Sequence, residues 1–246
     1  MRIITWNCRM AFAKKRELLY KLRPDIAVIP ECSQDSMLEC QKDGFGSCWW
    51  GENKHKGLGL IAARPWTLEP GSTPRQKWIA PARVSGPIDF LLLSVWACPV
   101  GRERERNYIG QVYEAIVRHP EWFAGHSPVV LCGDFNSNAN FDRHRKKRTH
   151  SAVVKLLAER DIVSAYHTFF SEDPGEEARP TYYFWHKKER PFHLDYIFVP
   201  RAWSCGMRRF RVGTYKKWMR SSDHVPIVAD IDDPSGPTTQ HKSTPR

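Results

Sequence analysis

Three apolar runs in this sequence finish on a side chain that is costly to bury alone. Asn7 follows Ile3-Ile4-Thr5-Trp6, Glu31 follows Ile26-Ala27-Val28-Ile29-Pro30, and Asp134 follows Val129-Val130-Leu131-Cys132-Gly133. Asn136 lies two residues beyond Asp134, which in an extended chain points both to the same side. An uncompensated carboxylate in a dry site costs roughly several kcal/mol, so it is normally paired or bound to metal. Each such residue taken singly is most often a turn former or a helix cap. Their number and grouping point instead to a hard cation held by oxygen ligands, since open α/β sheets place ligands at the carboxyl ends of strands. Two further clusters join them: Asp195 starts the aromatic run Tyr196-Ile197-Phe198, and Asp223-His224 directly precedes Val225-Pro226. A histidine beside carboxylates can act as general base or phosphate contact, with one carboxylate fixing its tautomer. An isolated Asp-His dipeptide is usually a surface loop.

Short apolar runs alternate with helical patterns, which predicts an α/β protein. Strands are expected over residues 2–7, 26–31, 57–63, 88–97, 128–135, 194–199 and 225–231, and helices over 14–22, 106–119 and 151–160. In the second helix, Ile109, Val112, Tyr113, Ile116 and Val117 recur at i, i+3, i+4, i+7 and i+8, the pattern of one buried face. Residues 233–246 are rich in Pro, Ser, Thr and Gly and read as a disordered tail after one domain over residues 1–232.

At 246 residues with 41% hydrophobic and 26% charged side chains, the chain suits one two-layered domain with a sizeable core. The longest apolar run, residues 90–100, is about half of the ~20 residues that a membrane helix needs. No signal peptide precedes the first strand. Seven cysteines without a CxxC pair argue against structural zinc, and Cys8, Cys98 and Cys132 lie in apolar segments. That usage suits a reducing cytoplasm. A net charge of +11 and a pI near 9.4 favour polyanions: nucleic acid, phosphorylated small molecules or anionic membrane surfaces. The alternative is a generally solvated basic surface.

In order along the chain, TWNCR (5–9), PDIAVIPE (24–31), GLGLIAARP (57–65), GDFNSN (133–138), HLDYIFVP (193–200) and SSDHVPIVADI (221–231) resemble the endonuclease/exonuclease/phosphatase superfamily. The resemblance implies a four-layered α/β sandwich, with two stacked, mainly antiparallel sheets flanked by helices. It implies that Glu31 is the principal ligand of Mg²⁺ (or Mn²⁺), with Asn7 orienting it and touching the metal shell. Asp134 would position or deprotonate the attacking water, and Asn136 would contact a phosphate oxygen. His224 would bind the scissile phosphate or assist proton transfer, with Asp195 as its orienting partner and Asp223 as a further metal ligand or supporting group. The reaction would be in-line attack of water on a phosphorus ester.

One position departs from the family pattern. After strand 90–95, many of its nucleases carry a histidine or tyrosine that serves the phosphate or the leaving group. The matching position here is Trp96, whose indole donates a hydrogen bond but supplies no proton at neutral pH. Either the metal stabilises the leaving oxygen by itself, or an Arg or Tyr nearby substitutes: Arg102, Arg104, Arg106 and Tyr108 follow.

For the substrate, the run FDRHRKKRTH (141–150), with Arg145, Lys146 and Lys147 at its centre, follows GDFN directly and so is expected beside the site. It reads either as a phosphate clamp or as a solvated loop. The run TYYFWHKKERPF (181–192) mixes aromatic and basic residues suited to stacking bases and holding phosphates. Tyr183 and Trp185 are expected to face the core, and Lys56-Gly57 and Arg64 are candidates to line the cleft. The expected substrate is nucleic acid, DNA or RNA, with a small phosphorylated molecule or phospholipid head group as the alternative. A monomer is the default.

Overall fold

The computed structural model describes residues 1–72, 78–99, 107–125, 127–144 and 147–232. Arg102, Arg104, Arg106, Arg145, Lys146 and the expected tail over 233–246 lie outside the described residues.

Two six-stranded sheets stack face to face. The first is ordered β13 (Met207–Val212), β14 (Ile227–Ile231), β1 (Arg2–Thr5), β2 (Ile26–Cys32), β4 (Lys56–Ala62) and β3 (Gly46–Asn53). The second is ordered β5 (Thr67–Pro70), β6 (Ile79–Ser85), β7 (Phe90–Trp96), β8 (Val129–Asp134), β12 (Asp195–Pro200) and β9 (Ile162–Ser164). Each sheet is antiparallel except for one pair, β1 with β2 and β7 with β8. A parallel pair needs a long crossover, and those crossovers carry α1 (Arg16–Tyr20) and α3 (Ile109–Arg118). A two-stranded ribbon, β10 (Tyr182–Tyr183) with β11 (Pro191–Phe192), closes over one edge.

The period-2 alternation of the central strands explains the layers. Ile3, Val28, Leu92, Val130, Cys132, Ile197 and Ile227 point inward and form the core between the sheets. Their neighbours point outward. In the first sheet Ile4, Ala27, Ile29 and Val228 pack with Leu19 of α1 and with Met37 and Cys40 of α2 (Gln34–Lys42). In the second, Leu93, Val129, Leu131 and Phe198 pack with Ile109, Val112 and Ile116 of α3 and with Val153 and Leu157 of α4 (His150–Ala158). Helix, sheet, sheet and helix are the four layers expected.

Several elements differ from the sequence pattern. The edge strands β3, β5 and β13 and the polar helix α2 were not expected. They bury little, so hydrophobic period is weak there; α2 is instead announced by its cap, with Ser33 Oγ accepting the Ser36 N–H at 3.2 Å. The described part of the second expected helix begins at Ile109, and Val117 in its last turn is 50% exposed rather than buried. Among the described residues, no helix is long and apolar enough to cross a membrane, and all seven cysteines are free.

Candidate active site

The chemistry-bearing strand ends meet at one edge of the sandwich. Asp195 at the start of β12 sits opposite Asp134 at the end of β8, and Trp96 at the end of β7 is in register with Asp134 on its other side. Thr5 pairs with Ile227, which brings Asn7 level with the residues just before β14, Ser222 to His224. Gly133 makes the close β7–β8 approach possible: its φ is +149°, and a Cβ there would lie 1.9 Å from the Val95 carbonyl oxygen.

Glu31 does not continue its strand regularly. The β2–β4 register shifts between Pro30 and Cys32, and Glu31 adopts φ +63°, so it is the bulged residue. A bulge re-aims one side chain, here out of the sheet and toward Asn7. The Asn7 amide NH₂ donates to Asp134 Oδ2 at 2.9 Å and to Glu31 Oε1 at 3.3 Å, linking the two sheets. Its Oδ1 accepts the Arg9 N–H at 3.0 Å. Asn7 therefore orients both carboxylates with its nitrogen face, and its oxygen is not the atom turned toward them. Asn136 also reaches Asp134, but not through an extended chain: its φ is +46°, its N–H donates to Asp134 Oδ1 at 2.8 Å, and its side-chain NH₂ donates to Oδ2 at 2.9 Å.

His224 is buried between two carboxylates. Its Nδ1–H donates to Asp195 Oδ2 at 2.8 Å, and Nε2 lies 3.9 Å from Asp134 Oδ2. Burial pulls the imidazole pKa down, but the negative charges of Asp195 and Asp134 outweigh it and hold His224 above its ordinary value. Burial pushes the Asp134 carboxyl up, opposed by the His224 charge and the Asn7 bond. Asp134, raised by burial, and His224, raised by its carboxylates, thus face each other as groups that could serve acid–base chemistry.

Residues that the sequence left without a role complete the support. Thr181 Oγ1 accepts the N–H groups of Leu194 and Asp195 at 2.9 and 3.1 Å, and its carbonyl accepts Val225 N–H at 2.8 Å. Ser222 Oγ donates to the Asn7 carbonyl at 2.8 Å and accepts the His224 N–H at 3.1 Å. Arg9 bridges Asp223, with Nε 3.4 Å from Oδ2, to His186 on the β10–β11 connection. Lys56 Nζ lies 3.0 Å from Glu31 Oε2. Ser222, Thr181 and Arg9 were legible only as neighbours of motif residues.

Asp134, Asp195 and His224 each offer a ligand atom within 4.8 Å of the others. Because Nδ1 is committed to Asp195 and the ring is biased toward imidazolium, this trio could handle a proton more readily than a cation. Glu31, whose two oxygens meet the Asn7 amide and the Lys56 ammonium, could anchor a hard cation. Asp195 Oδ1 is buried without a partner among the described atoms, so the site retains oxygen-donor capacity.

A cleft of about 560 Å³ adjoins Asn136, lined by Tyr108, Phe141, Tyr182, Phe184 and Phe192 among others. Tyr182 also packs its ring 4.6 Å from that of His224. Tyr108, expected near the substrate, lies in this cleft. Trp96 is not a cleft wall in the same sense: it is 6% exposed, packed with its ring tilted at 4.9 Å from that of Trp78 and part of the inter-sheet core, with one ring face toward Lys56. Lys147 is exposed, whereas Arg148 is tied to Glu114 at 2.6 Å. Arg64 is exposed two residues past the far end of β4 from Lys56, remote from the site edge. Tyr183 is buried as expected, but Trp185 is 64% exposed. Trp185 and His186 have φ of 55° and 56°, so strand alternation stops at the turn and the indole swings outward.

Comparison with known proteins agrees with this architecture. The structure superposes on an AP endonuclease from Archaeoglobus fulgidus with a TM-score of 0.74 at 17% identity, covering 94% of this chain and 99% of that one. A 3'-5' exonuclease, NExo, from Neisseria Meningitidis gives 0.68 at 19%, covering 94% and 100%. Truncated Caenorhabditis elegans TDP2 gives 0.68 at 13%, covering 94% and 96%. A search of curated proteins finds no match. At these identities the likeness shows the fold, and the family rests on the sequence itself. The family model described as Endonuclease/Exonuclease/phosphatase family matches residues 4–224, a span that holds every strand-end group described above, and the chain belongs to that family of phosphoester-cleaving enzymes.

Proposed function

We propose that this chain is a Mg²⁺- or Mn²⁺-dependent phosphodiesterase that hydrolyses nucleic acid by in-line attack of water. The observation that carries the reading is Asn7 joining Glu31 to Asp134 while Asp134 faces the His224–Asp195 pair. Asp134, raised by burial, orients the attacking water and takes its proton. His224, kept protonated by its two carboxylates, presents a cationic N–H to a phosphate oxygen. Asp195 fixes the ring, and Asn136 holds Asp134 from the cleft side. Glu31 would hold the ion, and Asp223, next to His224 and ion-paired with Arg9, would be a further ligand or supporting group; the ion's contribution would be to neutralise charge on the phosphate and the leaving group. The aromatic cleft beside Asn136 has the size of a small-molecule site and the lining that stacks a base or sugar, and the charge of +11 suits a polyanion.

The test uses purified protein with labelled single- and double-stranded DNA and RNA, with and without Mg²⁺ or Mn²⁺, beside Glu31→Gln and Asp134→Asn. Metal-dependent cleavage that both variants lose, with unchanged circular dichroism, is expected. Cleavage that either variant retains near the wild-type rate refutes the assignment. No cleavage of any polymer moves the substrate to a small phosphoester.

A further inference from the structure

Trp96 leaves the end of β7 without a proton donor or a charge, yet a charge stands over it. The Lys56 ammonium lies 5.1 Å from the Trp96 ring centroid and 3.0 Å from Glu31 Oε2. Lys56 opens β4, and its neighbour Gly57 pairs with Cys32 just past the Glu31 bulge, so the backbone of two adjacent strands sets the contact. A side chain on Gly57 would collide with Trp49 at 2.4 Å, which keeps this corner closely packed under the lysine.

As an ion pair alone this contact has little purpose. The lysine and glutamate side chains are 39% and 19% exposed, and pairs so placed contribute little to stability. Its position is more informative. Asn7 holds Glu31 through Oε1 on the side of Asp134, while Lys56 holds Oε2. The base and the ammonium therefore flank Glu31 from its two oxygens. In an in-line displacement the nucleophile and the leaving oxygen lie on opposite sides of phosphorus.

Resting on the phosphodiesterase reading above, we propose that Lys56 is a catalytic residue of this site, the cation that meets the leaving oxygen where family nucleases carry a histidine or tyrosine. The water oxygen bonds to phosphorus and its proton passes to Asp134. The ester P–O bond breaks, its electron pair goes to the leaving oxygen, and the ammonium donates a hydrogen bond to that charge before solvent water protonates it. The Trp96 face holds the lysine stem and ammonium in place by cation–π attraction. The charge missing at the end of β7 is then supplied by a lysine from the other sheet.

The experiment compares wild type, Lys56→Met and Lys56→Arg on two substrates: a short oligonucleotide, whose leaving group is a sugar hydroxyl, and thymidine 5′-p-nitrophenyl phosphate, whose leaving group needs no help. Mn²⁺ affinity is measured alongside by electron paramagnetic resonance. Lys56→Met is expected to lose about 10²–10³-fold on the oligonucleotide and to stay within about tenfold on the nitrophenyl ester, with partial rescue by arginine. Its Mn²⁺ affinity should rise about tenfold, because the variant removes a positive charge 3.0 Å from the Glu31 carboxylate that would hold the ion. Equal losses on both substrates overturn the proposal, as does weaker Mn²⁺ binding, which would mean that the lysine merely holds Glu31. Wild-type protein that cleaves neither substrate overturns the phosphodiesterase reading and this proposal with it.

Discussion

Acid should loosen this protein through a histidine that the proposed chemistry does not use. His150, in the first turn of α4, is fully buried against Tyr196 at 4.9 Å, and neither ring nitrogen has a partner among the described residues. Burial drives its pKa from 6.5 down to about 4, against the attraction of Asp142 and Glu177 and with the help of His167 and His193. The folded-state pKa is depressed for a base, so the unfolded chain takes up the proton first as pH falls. Stability is therefore full above about pH 6.5, declines as pH drops, and levels off below about pH 4. By linkage the loss is roughly 2 kcal/mol at pH 5 and roughly 3 kcal/mol at its limit. Glu177, held at about 2 by His167 and Asn138 against its burial, contributes stability that is lost only below its unfolded value near 4.5. Between pH 7.5 and 5 the raised Asp134 and His224 act with the opposite sign, but wild type and a His150 variant share them, so the difference between the two isolates His150. In urea unfolding, wild type should fall behind His150→Phe, which keeps the contact with Tyr196, by roughly 2 kcal/mol over that window. His193, also depressed by burial, is shared in the same way. Wild type and variant losing the same stability between pH 7.5 and 5 would refute the reasoning.

Asp195→Asn should lower turnover by about 10²–10⁴-fold, because the imidazolium loses its buried counter-charge and its ring anchor; an NMR titration should show the His224 pKa falling alongside the rate. Thr181→Val should cost about 1–3 kcal/mol in denaturant unfolding, since two buried N–H groups lose their acceptor, and a variant as stable as wild type would remove Thr181 from the support of Asp195. Gly133→Ala should fail to accumulate as folded protein, because the 1.9 Å overlap is with backbone that cannot move aside; soluble, wild-type-like expression would contradict the β7–β8 approach described.

How much of this was legible depends on what each residue answers to. Asn7, Glu31 and Asp134 stood out because apolar runs end abruptly on polar groups, while Asp195 and His224 stand at the entry of such runs and drew their roles from the family resemblance; the structure brings all of them to one edge. The bulge that turns Glu31 inward has no one-residue signature; it comes from pairing with β4. Lys56 was a candidate without a role, since its partners, Glu31 and Trp96, come from other strands and, for Trp96, from the other sheet. Trp185 misled the alternation pattern because two consecutive left-handed residues reverse the chain at that point. The edge strands were silent for a common reason. With one neighbour and an exposed face, β13 can carry Arg208, Arg209 and Arg211 where a central strand could not.

The same contrast locates specificity. The groups proposed for chemistry sit on strand ends braced from both sheets: Asn7 is hydrogen-bonded across the sandwich to Asp134, so the inter-sheet core around Val28, Val130 and Ile197 sets the distance between the two halves of the site. Little there can change without disturbing the fold. The rim is built differently. Tyr108, Phe184, Phe192 and Trp185 project from connections, and Trp185 carries Lys187 and Arg190 within 5.8 and 5.2 Å of its ring. Such residues are free to vary without cost to the core, as loops on a rigid scaffold generally are. The rim is joined to the site where Tyr182 packs on His224 and where Arg9 bridges Asp223 and His186. What the rim binds can be felt at the site edge through those contacts, while the geometry proposed for hydrolysis stays set by the sheets.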